Sequence, residues 1–229
     1  MLPGSRTCEI YIARLEYLDR RHVALLDTSE LERRARYRYE ADRDRFTLAA
    51  VLLRAAASWA SGVEASAVVV DRTCDWCGNP HGRPRLPGTR LHASISHSNY
   101  LAVVAISNSG PVGVDIEFME ARYDADLLLS VCSESEREFV RTPADFFAYW
   151  TRKEAVVKAT GEGLNRALTD VTVTPPHVAP AVLSIDGLAQ PGCRMFDAHV
   201  DGYAGAAAVL TCDPVSFSVV DAGSLLGEL

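Results

Sequence analysis

The sequence has no long hydrophobic run, no basic leader and no excess of positive charge. Its longest apolar stretches, residues 48–53 and 100–106, are far shorter than the ~20 residues that a membrane-spanning helix needs. The N-terminus shows no basic segment followed by an apolar core, as a signal peptide would. The formal net charge of −7 argues against nonspecific nucleic-acid binding. We therefore expect a cytoplasmic protein that spans no membrane and binds no nucleic acid.

The sequence also lacks the dense cysteine spacing of a disulfide-stabilised domain, because its six cysteines are scattered over 229 residues. Cys74 and Cys77 are the one close pair, and with the nearby His81 they resemble half of a zinc site. No second CxxC or HxxxH completes four ligands. Glycines and prolines place the pair in a loop, whereas redox activity needs a CxxC at a helix start. A plain loop, a structural zinc and a redox pair stay open.

Common nucleotide and hydrolase motifs are missing as well. The chain has no G-x-x-x-x-G-K-[ST] loop, no G-x-G-x-x-G turn and no nucleophile elbow around which a triad could form. Its composition, 48% hydrophobic and 23% charged, is that of an ordinary globular protein. A functional site must therefore be sought in the spacing of individual polar residues.

What is present is a succession of helices and short strands. Ser29 and Glu32 form a capping-box pattern at the start of an arginine-rich helix, whose interleaved charges predict a solvated face. Residues 46–60 predict a buried helix that ends near Gly62. Two further helices are predicted at residues 126–140 and 145–160. The predicted strands are 9–13, 68–70, a hairpin over 91–107 that turns at Ser98-Asn99, 112–117, 171–174, 181–185, 194–200 and 204–211.

A weak internal repeat relates the two halves of the chain. An offset of 103 residues places Tyr203 over Tyr100 and Tyr149 over Phe46, which aligns two strands of small residues and two long helices. The pattern predicts an α+β fold of two similar lobes related by a pseudo-two-fold, each a long helix packed on a small, mostly antiparallel sheet. The predicted lobes are residues 1–110 and 111–229. A cleft between them is a favoured place for ligands, and the internal doubling predicts a monomer.

The most informative segment is Gly113-Val114-Asp115-Ile116-Glu117. Side chains two residues apart in a strand share a face, so Asp115 and Glu117 place two carboxylates side by side while Val114 and Ile116 face the core. Two such carboxylates repel each other unless a cation or a proton lies between them. Magnesium typically binds one or two carboxylates together with substrate phosphates. The segment is either a magnesium site or the wet acidic face of an edge strand.

Trp150, Glu154 and Lys158 are spaced by four residues and share one face of a predicted helix. Glu and Lys at this spacing commonly form a surface ion pair, but the apolar residues between them favour a partly buried helix. A buried glutamate beside a lysine and near two carboxylates suits a metal ligand or a general base. Ser96 and His97, just before a turn, are candidates to donate hydrogen bonds to a phosphate.

In their order, Ser96-His97, the Asp115-x-Glu117 strand and Trp150-Thr151-x-Lys153-Glu154-Ala155-x-x-Lys158 resemble the 4′-phosphopantetheinyl transferases. The chain is similar to the monomeric, pseudo-dimeric, surfactin-synthetase-activating (Sfp-like) class, over nearly its whole length. The resemblance implies a magnesium-dependent enzyme that transfers the phosphopantetheine arm of coenzyme A to a serine of an apo acyl or peptidyl carrier protein. The second product would be adenosine 3′,5′-bisphosphate, and the carriers would serve peptide and polyketide synthesis.

The resemblance also implies a role for each matching residue. Glu154 would be a metal ligand or the base that activates the serine, Lys158 would stabilise charge on the leaving group, and Lys153 would be an orienting cation. The residues implied to bind magnesium are Asp115, Glu117, Glu136 and Glu154. The residues implied to contact the phosphates or nucleotide of coenzyme A are Arg33, Arg45, Arg83, Ser96 and His97.

The chain departs from the family pattern at several positions. Arg83 replaces the lysine of a Gly-Lys-Pro loop, and the arginine-rich segment contains no lysine. The loop with Cys74 and Cys77 has no counterpart in the pattern. Two other functions remain as alternatives. One is a noncatalytic carrier-protein or nucleotide-binding module on the same fold, expected to lack an acidic residue or the second lysine; the other is a zinc-stabilised binding protein.

Overall fold

Helices and strands alternate through residues 5–120, 122–187 and 192–229, which a computed structural model of the chain describes. The strands are β1 (Thr7–Arg14), β2 (His92–Ser98), β3 (Leu101–Ser107), β4 (Val112–Phe118), β5 (Val171–Val173), β6 (Val182–Ile185), β7 (Cys193–Asp197), β8 (Tyr203–Leu210) and β9 (Ser216–Asp221). The α-helices are α1 (Thr28–Arg36), α2 (Glu40–Ser61), α3 (Ala125–Val131), α4 (Glu134–Arg137), α5 (Pro143–Thr160) and α6 (Gly223–Gly227). The predicted α+β class is confirmed. Within these ranges, no helix combines the length and apolarity needed to cross a membrane.

The first sheet has the strand order β2-β3-β1-β9. Every residue of β3 is buried, because its two faces are covered by different partners. Ala102, Val104 and Ile106 face the core that contains α2, and Leu101 and Val103 face the second sheet. A strand covered on both faces needs an unbroken apolar run rather than an alternation, which is what this segment has.

The second sheet has the order β4-β8-β7, and α5 packs on β4 and β8. Thr142 caps the start of α5 by accepting from the N–H of Asp145, and Pro143 occupies the first turn. The helix ends at Gly161, whose φ of 81° is the left-handed conformation that glycine adopts without strain. Strands β5 and β6 form a separate two-stranded sheet that packs on α5 through β5.

The pairing register of the first sheet recurs in the second at the offset of 103 residues. Tyr11 of β1 lies opposite Val104 of β3. Val114 and Ala207, each 103 residues further along the chain, lie opposite one another in β4 and β8. The inner faces of these two strand pairs form a shared apolar core. This repetition supports the predicted similarity of the two halves.

The last strand of the chain belongs to the same sheet as the first strand. Strand β9, which the sequence analysis did not identify, pairs in parallel with β1. Ala222, just before α6, and Leu226, within α6, are buried in the core that contains α2. Residues 216–227 therefore lie with the N-terminal half, so the predicted lobe of residues 111–229 does not hold its last strand and helix.

Three predicted elements differ in the structure. Helix α1 is capped by Asp27, not Ser29, because Asp27 and Glu30 form the capping box and Glu30 is held by an ion pair with Arg54. The arginine-rich region is two helices, since the chain is extended at Tyr37 between α1 and α2. Residues 68–70 form no strand; a single bridge joins the next residue, Asp71, to Arg85.

The predicted helix over residues 126–140 is also interrupted. Helix α3 ends at Val131, and the extended Cys132 separates it from the short α4. Ser133 and Glu136 form a capping box that starts α4. This Ser-x-x-Glu pattern is a helix start signal inside the segment predicted as one helix.

Candidate active site

Strand β4 divides its side chains into an apolar face and an acidic face. Val114 and Ile116 are fully buried between the sheets, as the alternation predicts. Asp115 and Glu117 are on the opposite face and accept hydrogen bonds from serines of β2. Because β4 is the terminal strand of its sheet, this acidic face lies at the seam between the two sheets.

Helix α5 crosses β4 in close contact at Gly113. A Cβ atom there would overlap the carbonyl oxygen of Ala155 and lie 2.6 Å from the nitrogen of Ala159. Only glycine permits such an approach. Glu154 and Lys158 are half-buried positions one turn apart in a largely buried stretch of α5. The contact therefore brings both side chains toward the acidic face of β4.

Asp115 is 4% exposed and only half satisfied. Its Oδ1 accepts from the Ser96 hydroxyl at 2.7 Å and from Nζ of Lys158 at 2.6 Å. Its Oδ2 is buried and has no hydrogen-bond partner in the described parts of the chain. A buried carboxylate oxygen without a partner is costly, so this atom marks a place for a cation or an additional donor.

Three serines of β2 tie the first sheet to β4. Ser94, Ser96 and Ser98 alternate along the strand, so their hydroxyls share one face. Ser94 and Ser98 accept from backbone N–H groups of β4 at 3.1 and 3.0 Å, and Ser98 donates to Glu117 at 2.9 Å. Together with the bond from Ser96 to Asp115, these contacts orient both carboxylates.

The acidic face carries more negative charge than its lysine balances. Burial, followed by the charge of Asp115, raises the pKa of Glu117 to about 7 and raises the pKa of Glu154 above its usual range, while Lys158 lowers both. Three carboxylates with one ammonium group fit a hard divalent cation, which prefers oxygen ligands. The oxygens of these three carboxylates do not all lie within 4.8 Å of one another, so the carboxylates are spaced more widely than the ligands of a closed metal site.

A cavity of about 870 Å³ lies beside Asp115, and Ser96 and Lys158 belong to its wall. Loss of solvent contact lowers the pKa of His97, and the positive charges of Arg45, Lys158 and Arg33 add to this effect. The field in this region therefore favours anions. The basic residues that line the cavity are Arg33, Arg36, Arg72, His81, His97 and Lys158.

Arg72 is a cavity residue that sequence reasoning missed. Burial, followed by the positive charge of Arg33, lowers its pKa, yet an arginine stays protonated at neutral pH. The buried Arg54 differs, because Glu30 neutralises it at 2.8 Å. Arg72 has no periodic spacing to other basic residues, and its only sequence cue is its position two residues before Cys74.

A second cavity, of about 610 Å³, lies further along β2 and β4, at Ser98 and Glu117. Glu117 and Ser98 line it together with Arg45 and Arg122. Its aromatic lining residues are Phe118, Tyr123, Phe147 and Trp150. The carboxylates of β4 thus lie between a cationic cavity, whose residues hold Asp115, and an aromatic cavity, which Glu117 enters.

Comparisons with known proteins agree with this geometry. The sequence model of the 4′-phosphopantetheinyl transferase superfamily matches residues 111–208, which include β4 and α5. The 4′-phosphopantetheinyl transferase HetI of Nostoc sp. is 32% identical over 168 residues, which are 70% of this chain and 70% of the relative. The chain belongs to the 4′-phosphopantetheinyl transferase superfamily.

Two further transferases of this superfamily show the same likeness. The 4′-phosphopantetheinyl transferase of Bacillus subtilis is 27% identical over 160 residues, which are 67% of this chain and 68% of the relative. The 4′-phosphopantetheinyl transferase AcpT of Salmonella typhi is 28% identical over 145 residues, which are 60% of this chain and 76% of the relative. The matches therefore extend well beyond the short motifs of β4 and α5.

In this member of the transferase superfamily, Glu136 and Lys153 lie apart from the acidic face. Lys153 is fully buried and pairs with Glu136 at 2.5 Å. It also donates to the carbonyl oxygens of Val131 and Leu168. Glu136 accepts further hydrogen bonds from Ser133 and from the backbone N–H of Val173. The structure therefore does not place Glu136 as a metal ligand or Lys153 as a cation near the substrate; both bind protein groups.

The residues predicted to contact phosphates lie in different surroundings. Arg33 and His97 line the cationic cavity, and their contacts with phosphate stay a prediction, while the Ser96 hydroxyl donates to Asp115. Arg83 donates to the carbonyl oxygens of residues 159 and 112, which joins the end of α5 to the start of β4. Arg45 pairs with an aspartate one turn away at 2.5 Å and lines the aromatic cavity.

Proposed function

We propose that the protein transfers the 4′-phosphopantetheine group of coenzyme A to a serine hydroxyl of an apo acyl or peptidyl carrier protein, with magnesium. The observation that carries this proposal is the unpartnered Oδ2 of Asp115, on a row of carboxylates between a cationic and an aromatic cavity. A reaction on a pyrophosphate needs such a row at the reacting phosphorus. It also needs separate space for the nucleotide and for the incoming acceptor.

The cationic cavity suits the nucleotide part of coenzyme A. Arg33, Arg36 and Arg72 would bind the 3′-phosphate region, where bidentate guanidinium groups match phosphate oxygens. Tyr37 and Phe46 supply apolar wall for the adenine ring. Such a division between cations and apolar wall is what an anionic nucleotide requires of its site.

The acidic face suits magnesium. Asp115, Glu117 and Glu154 would hold it, since one has an unpartnered oxygen and the other two have raised pKa values that a divalent cation would reverse. When bound, magnesium supplies positive charge at the pyrophosphate. Ser96 and Ser98 fix the orientation of two of these carboxylates through hydrogen bonds, which prepares the site before substrate binds.

In the proposed transfer, the carrier serine oxygen forms a bond to the phosphorus that bears the pantetheine arm. The bond from that phosphorus to the bridging oxygen breaks, and adenosine 3′,5′-bisphosphate leaves with the electron pair. As the alternative to its role as a magnesium ligand, Glu154 would accept the serine proton, directly or through water, because burial raises its pKa above its usual range. Lys158 would stabilise the charge on the leaving group.

The aromatic cavity would receive the pantetheine arm and the incoming serine. Glu117 lies in its wall, so an acceptor there would reach the acidic face from a cavity separate from that of the nucleotide. We also propose that the protein acts as a monomer in the cytoplasm, where its six free cysteines would remain reduced. The repeated sheet register supports this proposal, since it would supply within one chain the pairing that two subunits would otherwise provide.

A direct assay tests this function. The protein is incubated with coenzyme A, magnesium and an apo carrier protein, and the carrier is weighed by mass spectrometry. A mass increase of one phosphopantetheine group is expected for the wild type. For Asp115→Asn the rate should fall about 100-fold or more. Asp126→Asn, at an exposed position on α3, is the matched control and should keep the wild-type rate. Coenzyme A binding without transfer to any carrier would favour a noncatalytic module.

A further inference from the structure

The loop that connects helix α2 to strand β2 brings three metal-ligating side chains together. One ligand atom each from Cys74, Cys77 and His81 lies within 4.8 Å of the other two. Nε2 of His81 is 2.9 Å from Sγ of Cys77. Two sulfurs and an imidazole nitrogen at this separation are the donors that zinc prefers.

Hydrogen-bond donors surround the two sulfurs of this loop. The backbone N–H groups of Trp76 and Cys77 donate to the sulfur of Cys74. The side-chain amide of Asn79 donates to the sulfur of Cys77 at 3.4 Å. Gly78 follows at a φ of 74°, and its N–H donates to the carbonyl of Cys74 at 2.9 Å, which closes the turn. Donors around the ligand sulfurs are typical of metal sites, because they orient the ligands.

The loop has no apolar core of its own. None of residues 73–82 is buried, and Trp76 is 76% exposed. The base of the loop is closed by paired hydrogen bonds between Asp71 and Arg85, and Arg85 also pairs with Asp75 at 2.5 Å. A polar loop without buried apolar groups gains little from packing, so a metal cross-link would contribute much of its order.

We propose that Cys74, Cys77 and His81 bind one zinc ion, with water as the fourth ligand. This site is separate from the carboxylates of β4 and differs from them in donor chemistry. Zinc is favoured over magnesium here because thiolate and imidazole ligands suit the softer ion, whereas magnesium prefers oxygen. Binding would displace a proton from each thiol that is protonated in the free protein.

The position of the loop gives the site a consequence for ligand binding. His81, Asn79 and Pro80 form part of the wall of the cationic cavity, which the arginines of α1 also line. A zinc ion that fixes His81 would therefore fix this wall. This second consequence rests on the proposed function, since it concerns coenzyme A; the presence of zinc does not.

The test is the zinc content of the full-length protein. The protein is purified under reducing conditions without chelators, and its zinc is measured by inductively coupled plasma mass spectrometry. We expect about one zinc per chain for the wild type. Cys77→Ser and, independently, His81→Ala should lower the zinc content at least tenfold. Both positions are exposed, so folding should be unaffected, and circular dichroism checks this. Cys212→Ser, an exposed cysteine outside the loop, should keep the wild-type content.

Asp115→Asn should also retain the zinc, which separates this site from the acidic face. Cobalt added to the metal-free protein should give thiolate-to-metal absorption in the wild type and not in Cys77→Ser. A wild-type protein without zinc after growth in zinc-supplemented medium would overturn the proposal, as would undiminished zinc in both loop variants. If zinc is present but its removal leaves coenzyme A affinity unchanged, only the consequence for the cavity wall is overturned.

Discussion

At the scale of single residues, the chain's two lysines have different roles although they are close together on the same helix. Both are on α5. Lys158 reaches Asp115 at the wall of the cationic cavity, whereas Lys153 points into the core toward Glu136. Their spacing of five residues places them on different faces of a helix with 3.6 residues per turn. Burial, which the motif alone does not reveal, decides which lysine can meet a substrate.

Replacing Lys153 by methionine should therefore affect folding more than chemistry. The change leaves Glu136 buried without its cation, which typically costs about 3–5 kcal/mol of unfolding free energy. Urea denaturation measures this loss. The double variant Lys153→Met/Glu136→Leu removes both charges and should recover part of the stability. A stable Lys153→Met protein with impaired transfer would instead indicate that the lysine acts on the substrate.

Glu117 should make magnesium binding dependent on pH. Burial and the charge of Asp115 raise its pKa in the folded protein to about 7, so the folded protein holds a proton that the unfolded chain loses above the ordinary glutamate pKa of 4.5. In metal-free protein the free energy of unfolding should thus fall as pH rises between these values, and level off above them. Magnesium must displace that proton at low pH but not at high pH.

We expect magnesium to raise the melting temperature more at about pH 8 than at about pH 5.5. Differential scanning calorimetry with and without magnesium measures the difference. In Glu117→Gln the increase should be smaller and should depend less on pH over this range, with Glu154 as the remaining ligand of raised pKa. Equal magnesium effects at both pH values in the wild type would contradict the role of Glu117.

At the scale of elements, the site depends on the contact between α5 and β4. Gly113 is the residue that permits it, because a side chain there would collide with backbone atoms of α5. Backbone cannot move aside as a flexible side chain can. The helix carries Glu154 and Lys158, so any displacement of α5 also displaces a carboxylate and a cation from the acidic face.

Gly113→Ala should therefore impair both stability and transfer. Overpacking of this kind costs about 1–3 kcal/mol or more, and a shift of α5 should reduce the transfer rate as well. Chemical denaturation and the carrier-protein mass assay measure the two effects. Gly227→Ala is the matched control, since nothing lies within 4 Å of a Cβ at that position. Wild-type behaviour of Gly113→Ala would disprove the close contact.

The elements also show which patterns could be read from the sequence. The alternation of β4, the hairpin of β2 and β3 and the end of α2 at Gly62 were predicted correctly, because each depends on spacing or on a local turn residue. The start of α1 and the break before α4 were not. At α1 two overlapping capping patterns compete, and the distant contact of Arg54 with Glu30 selects one of them. At α4 the capping glutamate, Glu136, is held by the distant Lys153.

At the scale of the whole molecule, several contacts link the two halves. Two sheets share an apolar core, serines of β2 bind β4, and β9 returns to pair with β1. The acidic face lies where the first two of these links meet. Its geometry therefore depends on both halves, although the carboxylates and α5 belong to the second.

The sequence by itself determined the chemistry of the site: which carboxylates share a strand face, which glutamate and lysine share a helix face, and which family the chain resembles. These follow from periods of two and 3.6 residues, which are local properties. Tertiary structure decided the rest. It buried Lys153 with Glu136 and formed the hydrogen bond from Ser96 to Asp115. It also placed Arg72 in the wall of the cationic cavity and paired β9 with β1 of the first sheet. Each of these depends on contacts between residues far apart in the chain, whose partners are chosen by burial and packing, and no spacing rule encodes them.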